Sequence, residues 1–410
     1  MIESSRLLAG IDWAKDEHTI CILDSDRRVL EERTITHSGT SISQLADQLL
    51  GLAGGDPAAV AVAIETPRGA IVETLVERGF AVYAINPKQM DRFRDRHTVA
   101  GAKDDRRDAF VLADSLRTDL HLFRRVRLDP ALVIRLRELS RAEEAVTQNQ
   151  VRAGNQLCEL LNRYYPQMLK LCSAADETWF WDLLECFPLP ATKRSKAKIA
   201  KLLLAHRIRR WDAKSVEAIL SERPLILAPG AAEAASEHML LILPQLRMYR
   251  AQRNTIIQRL EMLLEEMSKP GQFAEHRDVK ILHSLPGVGR VVTVTMLAEA
   301  AQPLAERDYQ ALRAYGGTAP ITRRSGKSNQ SVMRRGCNPR LRNALYHWSR
   351  VSTQCDARSA EHYAALRAKG HSHGRALRGV ADRLLAVLVA MLKSGTEYDP
   401  ARRQKRPAAP

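Results

Sequence analysis

The sequence predicts an α/β N-terminal domain, a long helical middle with coiled-coil character, and a mostly helical C-terminal domain. Three observations carry this. Short apolar or alternating runs broken by turn residues fill residues 7–85. Residues 131–171 lack Gly and Pro except at Gly154 and Pro166. Helical spacing of apolar residues then recurs over 239–267 and 376–392. A chain of 410 residues also exceeds what one compact core supports. The expected boundaries are 1–129, 130–277 and 278–396, with a basic, disordered tail over 397–410.

Strands are expected at 7–12, 18–24 and 29–35, joined by short turns as an antiparallel meander. A helix follows at 42–52, with Ser41 as its N-cap. Residues 60–64 (VAVAI) form a continuous apolar run, the pattern of a strand buried on both faces. A helix at 70–78 and a strand at 81–85 complete a βαβ-type alternation, so the sheet is mixed and covered by helices. In the middle region, Leu246, Ile256, Ile257, Leu260, Leu263 and Leu264 stand near heptad spacing. This fits a coiled-coil arm or dimer seam, and equally an ordinary bundle.

Lys and Arg number 63 against 47 Asp and Glu, a net charge of +16. A hydrophobic share of 45% excludes a disordered polycation. The charge therefore reads as a footprint for nucleic acid or another polyanion. No run approaches the roughly 20 apolar residues of a membrane span, and residues 1–8 carry no signal-peptide pattern. The six cysteines (Cys21, Cys158, Cys172, Cys186, Cys337, Cys355) show no CxxC pair, which disfavours a zinc site or disulfide framework. A cytoplasmic, nucleoid-associated protein with no membrane partner is expected.

Four carboxylates stand where chemistry can use them. Asp12 ends the first strand, Glu65 ends the 60–64 strand, and Asp105 and Asp108 lie three apart at the start of a helix over 105–117. That spacing puts both on one helix face. Asp104 shares a face with Asp108 and rivals Asp105, but reads as the helix cap. Singly, each acid has an ordinary explanation as a cap, a surface residue or a first-turn acid. Converging, they would repel unless cations intervene, and hard oxygen ligands suit Mg²⁺ or Mn²⁺. Two such ions can clamp the attacking and leaving oxygens of a phosphoryl transfer.

Residues 318–355 hold eight Lys or Arg and no Asp or Glu. Arg323, Arg324, Lys327, Arg334, Arg335, Arg340 and Arg342 are the candidate nucleic-acid contacts, since an unmixed run that also carries a helical apolar stripe (Leu341, Leu345, Tyr346, Trp348) suits phosphate binding. Within it lies Ser325-Gly326-Lys327-Ser328. A serine among arginines is a candidate nucleophile, because guanidinium groups stabilise the charge that develops at phosphorus. Ser328 is close enough to compete with Ser325. The GKS triplet is not a phosphate loop, since Ile321 occupies the required glycine position. Upstream, Leu285-Pro286-Gly287-Val288-Gly289 reads either as a helix-hairpin-helix turn or as a plain structural turn.

The strand GIDWAKDEH resembles the phosphate-loop strand of actin-like ATPases, but Trp13 and Lys15 fill the turn that those proteins keep small. A second resemblance is far more extensive. GIDWAKDEH, AIETPRG, AINPKQMDRFR and AKDDRRDAFVLAD, then LPGVG, AYGGTAPITRRSGKS and RRGCNPRLRNALY, are similar to the DEDD-type insertion-sequence transposases over roughly residues 7–128 and 279–395. The resemblance implies an RNase H-like, RuvC-like N-terminal domain whose DEDD acids bind Mg²⁺. They fall on Asp12, Glu65, Asp105 and Asp108. It also implies a C-terminal transposase domain with a nucleophilic serine at Ser325, a structured guide RNA that pairs with target and donor DNA, and dimers that assemble into tetramers. The alternatives are a Holliday-junction-resolvase-like nuclease, in which water attacks, and a non-catalytic nucleic-acid-binding scaffold.

Overall fold

The computed structural model describes residues 7–96, 104–269, 276–325 and 328–400. The chain divides into two compact units, Met1–Asp129 and Pro130–Pro410. The expected basic tail lies outside the described residues from 401 onward.

The first unit opens with β1 (Leu7–Trp13), β2 (Glu17–Asp24) and β3 (Val29–Thr36), the expected antiparallel meander. Helix α1 (Gly39–Leu52) leads to β4 (Val60–Ile64), α2 (Ala70–Glu77) to β5 (Ala81–Ala84), and α3 (Pro87–Asp95) and α4 (Asp105–Asp119) to a short β6 (Arg124–Arg125). The sheet order is β3-β2-β1-β4-β5-β6, with β1, β4 and β5 parallel, an RNase H-like topology. Every residue of β4 is buried, as a strand covered on both faces requires. The N-cap of α1 lies three residues before the expected one. Ser38 holds the extended conformation of an N-cap and accepts a hydrogen bond from the Ser41 amide at 3.2 Å, so Ser41 already lies inside the helix.

The two faces of the sheet are covered differently. Ile11, Ile20 and Val62 pack with α1 and α2, whereas Leu8, Cys21 and Ala63 pack with α3 and α4. On that second face α4 comes unusually close to β1. A Cβ placed on Gly10 would lie 1.9 Å from the Ala109 carbonyl oxygen and 2.6 Å from the Ala113 nitrogen. Ala109 and Ala113, one helical turn apart, keep the helix side of this contact small.

In the second unit, α5 (Ala131–Tyr164) runs against α9 (Ala231–Met267), and α6 (Thr178–Cys186), α7 (Lys196–Ala205) and α8 (Ala213–Leu220) lie between them in sequence. The long pair serves two separate cores. One end packs Leu157, Leu160 and Met239 around the buried Trp179 and Trp181. The other packs Leu136, Leu260 and Leu264 against α10 (His276–Ser284), α11 (Arg290–Glu299), α12 (Ala301–Ala305) and α13 (Tyr309–Tyr315). The same core takes in α14 (Pro339–Cys355) and α16 (His373–Ser394), joined by α15 (Ala357–Ala368). A two-stranded hairpin, β7 (Ile321–Ser325) and β8 (Ser328–Val332), precedes α14. The LPGVG segment is fastened to α14: the Pro286 carbonyl accepts hydrogen bonds from Trp348 Nε1 at 3.0 Å and Ser352 Oγ at 2.7 Å. Of the expected apolar stripe, Leu341, Leu345 and Trp348 are buried, while Tyr346 is 39% exposed.

Helices α5 and α11 are also joined by ions. Arg141 donates to both carboxylate oxygens of the buried Glu299 at 3.0 and 3.3 Å, and Arg137 donates to the Ala298 carbonyl at 2.8 Å. Burial acts to raise the Glu299 carboxyl, but the hydrogen bonds from Arg141 and Asn338 outweigh it and hold it below the usual range. No helix among the described residues is long and apolar enough to cross a membrane.

Two predictions follow from this packing. Gly10→Ala places a methyl inside van der Waals contact of helix backbone that cannot rotate away, so it should cost at least about 1–3 kcal/mol in a denaturant titration; Gly39→Ala, with nothing within 4 Å, should leave stability nearly unchanged. For Glu299 the depressed folded pKa means that its stabilisation is complete above the unfolded carboxyl value of about 4.3 and is lost as pH falls through the folded one. Arg141→Gln should therefore cost about 3–5 kcal/mol at pH 7, and the cost should shrink as pH falls below the unfolded carboxyl value, in paired thermal melts.

Candidate active site

The parallel pairing of β1 with β4 ends at Ile11 opposite Ile64, so Asp12 and Glu65 are the next residues of adjacent strands. Both are half-buried at the sheet end. Asp104 is the N-cap of α4: its backbone is extended and Oδ1 accepts from the Arg106 amide at 3.3 Å. Asp105 is then the first, exposed residue of the helix. Asp12, Asp104 and Asp105 line one cleft of about 570 Å³, together with Lys15, Thr19 and Thr34. Because α4 is seated on Gly10, two residues before Asp12, the start of that helix is fixed over the end of β1.

Asp108 behaves differently. It is 3% exposed, and Arg94 of α3 donates to both of its oxygens, Nε at 2.8 Å and Nη2 at 3.0 Å. Arg94 also reaches Asp91 at 3.1 Å. The hydrogen bond to Asp108 raises the pKa of the Arg94 guanidinium further. Arg94 carries no sequence signal for this role, since its partner lies 14 positions away on another helix.

Among the described residues, the only group whose ligand atoms all lie within 4.8 Å of one another is Cys172, Asp176 and Glu177 in the second unit, a set able to chelate a divalent ion. Its hydrogen bonds are already committed: Glu177 accepts from Trp179 Nε1 at 2.7 Å and from Arg210, and these outweigh burial to hold its carboxyl low. Burial pushes the Cys172 thiol up, away from the thiolate that a soft metal needs. The first unit offers an all-oxygen set instead, the donor chemistry of Mg²⁺. There Asp12 and Asp105 share the cleft, Glu65 adjoins Asp12 by register, and Asp108 would have to exchange Arg94 for the ion.

In the basic segment, Ser325 and Ser328 face each other as the terminal pair of the β7–β8 hairpin. Ser325 and Arg324 are exposed, and the backbone of Arg323 lies within β7. Lys327 lies outside the described residues. Arg335 is exposed and Arg334 half-buried, while Arg340 and Arg342 occupy the first turn of α14 behind the Asn338 cap. The segment contains no acid of its own, but the fold brings one to it: Glu144 of α5 accepts from Arg340 Nε. Arg342 Nη1 makes only a 3.8 Å contact with Cys337 Sγ.

Comparison with known proteins gives a consistent answer. Residues 9–166 match a family model described as "Transposase", and residues 279–364 match one described as "Transposase IS116/IS110/IS902 family". The chain is 46% identical over 218 residues to "Putative transposase y4uE" of Sinorhizobium fredii, covering 52% of this chain and 60% of that relative. It is 31% identical to the "Mini-circle putative transposase for IS117" of Streptomyces coelicolor, covering 98% of this chain and 97% of the relative. The chain belongs to the IS110/IS116 transposase family. A more distant member, the IS900 "uncharacterized 42 kDa protein" of Mycobacterium paratuberculosis, is 24% identical over 96% of this chain. The two family models fall on the acid-bearing unit with the first helix of the second, and on the region that carries the hairpin.

For a transposase of this family the basic segment should bind DNA in a salt-dependent way. Arg324→Ala and Arg335→Ala, which remove exposed cations, should each lower the slope of log K against log salt by about 0.9. Arg340→Ala should lower it less, because Glu144 already neutralises that side chain. Fluorescence anisotropy with a labelled duplex at several salt concentrations measures all three.

Proposed function

We propose that this chain is the recombinase of a mobile insertion sequence, which cuts and rejoins DNA through a covalent phosphoserine at Ser325. Asp12, Glu65, Asp105 and Asp108 would hold Mg²⁺ or Mn²⁺, and a structured guide RNA would pair with donor and target DNA. The working assembly would be a tetramer built from dimers, acting on nucleoid DNA in the cytoplasm. The observation that carries the reading is an exposed serine at the end of a hairpin flanked by arginines, in a chain whose other unit gathers acids at a sheet end.

The reaction follows from these side chains. Ser325 Oγ attacks the phosphorus of a DNA phosphodiester, a serine–phosphate bond forms, and the bond to one sugar oxygen breaks to leave a free hydroxyl end. The Oγ proton must be removed, and no His stands in residues 318–346 to take it. In this reading a carboxylate of the first unit would accept it. Arg323 and Arg324 would neutralise the extra negative charge at phosphorus. The bound cation would polarise the phosphoryl oxygens and stabilise the leaving one. Attack on the phosphoserine by a hydroxyl end of another strand rejoins DNA and frees the serine.

Incubation with element-end DNA, guide RNA and Mg²⁺, followed by denaturing gel electrophoresis, tests this. The wild type should leave a protein–DNA adduct that survives denaturation and is absent in both Ser325→Ala and Asp12→Asn. An adduct that persists in Ser325→Ala would transfer the role to Ser328. Cleavage with no adduct at all would make water the nucleophile and the enzyme a resolvase-like nuclease.

A further inference from the structure

Several arginines of the second unit are paired. Arg313 donates to both oxygens of Asp382 at 2.9 and 2.8 Å, and Arg290 donates to both oxygens of Glu143. Arg378 and the Nε of Arg334 are not paired. Arg378, on α16, makes no hydrogen bond or ion pair with any described residue. The Nε of Arg334, just after β8, is buried with no partner. Both side chains line one cleft of about 250 Å³ between the foot of the β7–β8 hairpin and α16, which Arg375 and His371 also line. Its carboxylate, Asp382, is consumed by Arg313 and by Thr318 Oγ1 at 3.1 Å. Burial, and then the neighbouring Arg375, lower the Arg378 guanidinium.

Like charges gathered in a half-buried cleft without an anion cost free energy. An oxyanion with several acceptor oxygens removes that cost, and guanidinium forks match it well. Arg378 also lines an adjoining cleft together with Arg342 and the exposed Tyr346. An aromatic face beside guanidinium groups is how proteins hold single strands, with a base stacked and a phosphate clamped.

We propose that this cleft is a phosphate subsite for the DNA strand being cut, with Arg334, Arg375 and Arg378 as its donors. This rests on the serine reading above, because the hairpin connects the two places. Ser331 and Val332 line the cleft, and Ser328 at the other end of β8 pairs with Ser325. Four steps of extended strand span about 13 Å. In a duplex each strand adds one charge per ~3.4 Å of helix axis, and its phosphates lie further apart along the backbone itself. A strand laid along the hairpin would thus enter the cleft within a few nucleotides of the phosphate that is attacked.

The test compares the full chain with Arg378→Gln, Arg375→Gln and, as a control on exposed α7, Lys201→Gln. Anisotropy is measured with labelled single-stranded DNA, duplex DNA and RNA of one sequence across a salt series, and each free protein is melted. The arginine variants should weaken DNA binding about tenfold and lower the salt slope by about 0.7–0.9. Their Tm should hold or rise, since an unpaired cation has been removed, and Lys201→Gln should change nothing. Unchanged affinity and slope would overturn the subsite. A fall in Tm with an unchanged slope would mark a structural arginine and overturn it too. Loss of RNA binding with DNA binding intact would overturn the choice of strand. Adduct formation is scored separately in the wild type: its absence would sink the serine reading, while the affinities still decide the cleft.

Discussion

The closeness of α4 to β1 is the constraint on which the first unit depends. Only a residue without a Cβ lets the Ala109 carbonyl and Ala113 amide sit against the strand at Gly10. That contact sets the height of the helix above the sheet, and the Asp104 cap sets where the helix begins. Together they carry Asp105 to the end of β1, beside Asp12. The parallel register of β4 adds Glu65 from the neighbouring strand. Backbone packing, rather than attraction between side chains, therefore assembles the acids, as it must, since carboxylates do not gather by themselves.

The charges these acids bring together have to be balanced. Arg94 does this for Asp108 with a two-pronged bond, and Lys15 lines the cleft shared by Asp12 and Asp105. The second unit follows the same logic with the signs reversed. Arg141, Arg290 and Arg313 are committed to Glu299, Glu143 and Asp382 and join its helices to one another. Arg378 of α16 and the buried Nε of Arg334 are not committed in this way. A net charge of +16 therefore says little until the paired arginines are separated from the free ones.

Much of the fold was legible in the sequence for definite reasons. The VAVAI run has the pattern of a strand covered on both faces, and the three short runs before it that of a meander, while the adjacency of β1 and β4 that brings Asp12 beside Glu65 is set by the parallel register of the sheet. Asp104 read correctly as a cap because its pattern is local. Where the deciding contact is remote, the sequence was silent. Arg94 meets Asp108 from another helix, and Glu144 meets Arg340 from 196 positions away, which nothing in 318–355 announces. Ser41 was misread as a cap because Ser38 offers the same chemistry three residues earlier, and the backbone turns there first. The Cys172, Asp176 and Glu177 group escaped notice because a single cysteine beside two acids has no diagnostic spacing.

On the proposed reading, the sheet-end acids placed by α4 hold the metal ion. Electron paramagnetic resonance of Mn²⁺ titrated into the full chain tests it directly, because the free ion has a sharp signal that binding broadens away. The wild type should deplete that signal, Mg²⁺ should restore it by competition, and Asp12→Asn or Asp105→Asn should bind several-fold more weakly while Cys172→Ser binds as the wild type does. Mn²⁺ binding that survives both aspartate changes and is lost in Cys172→Ser or Glu177→Gln would contradict the account.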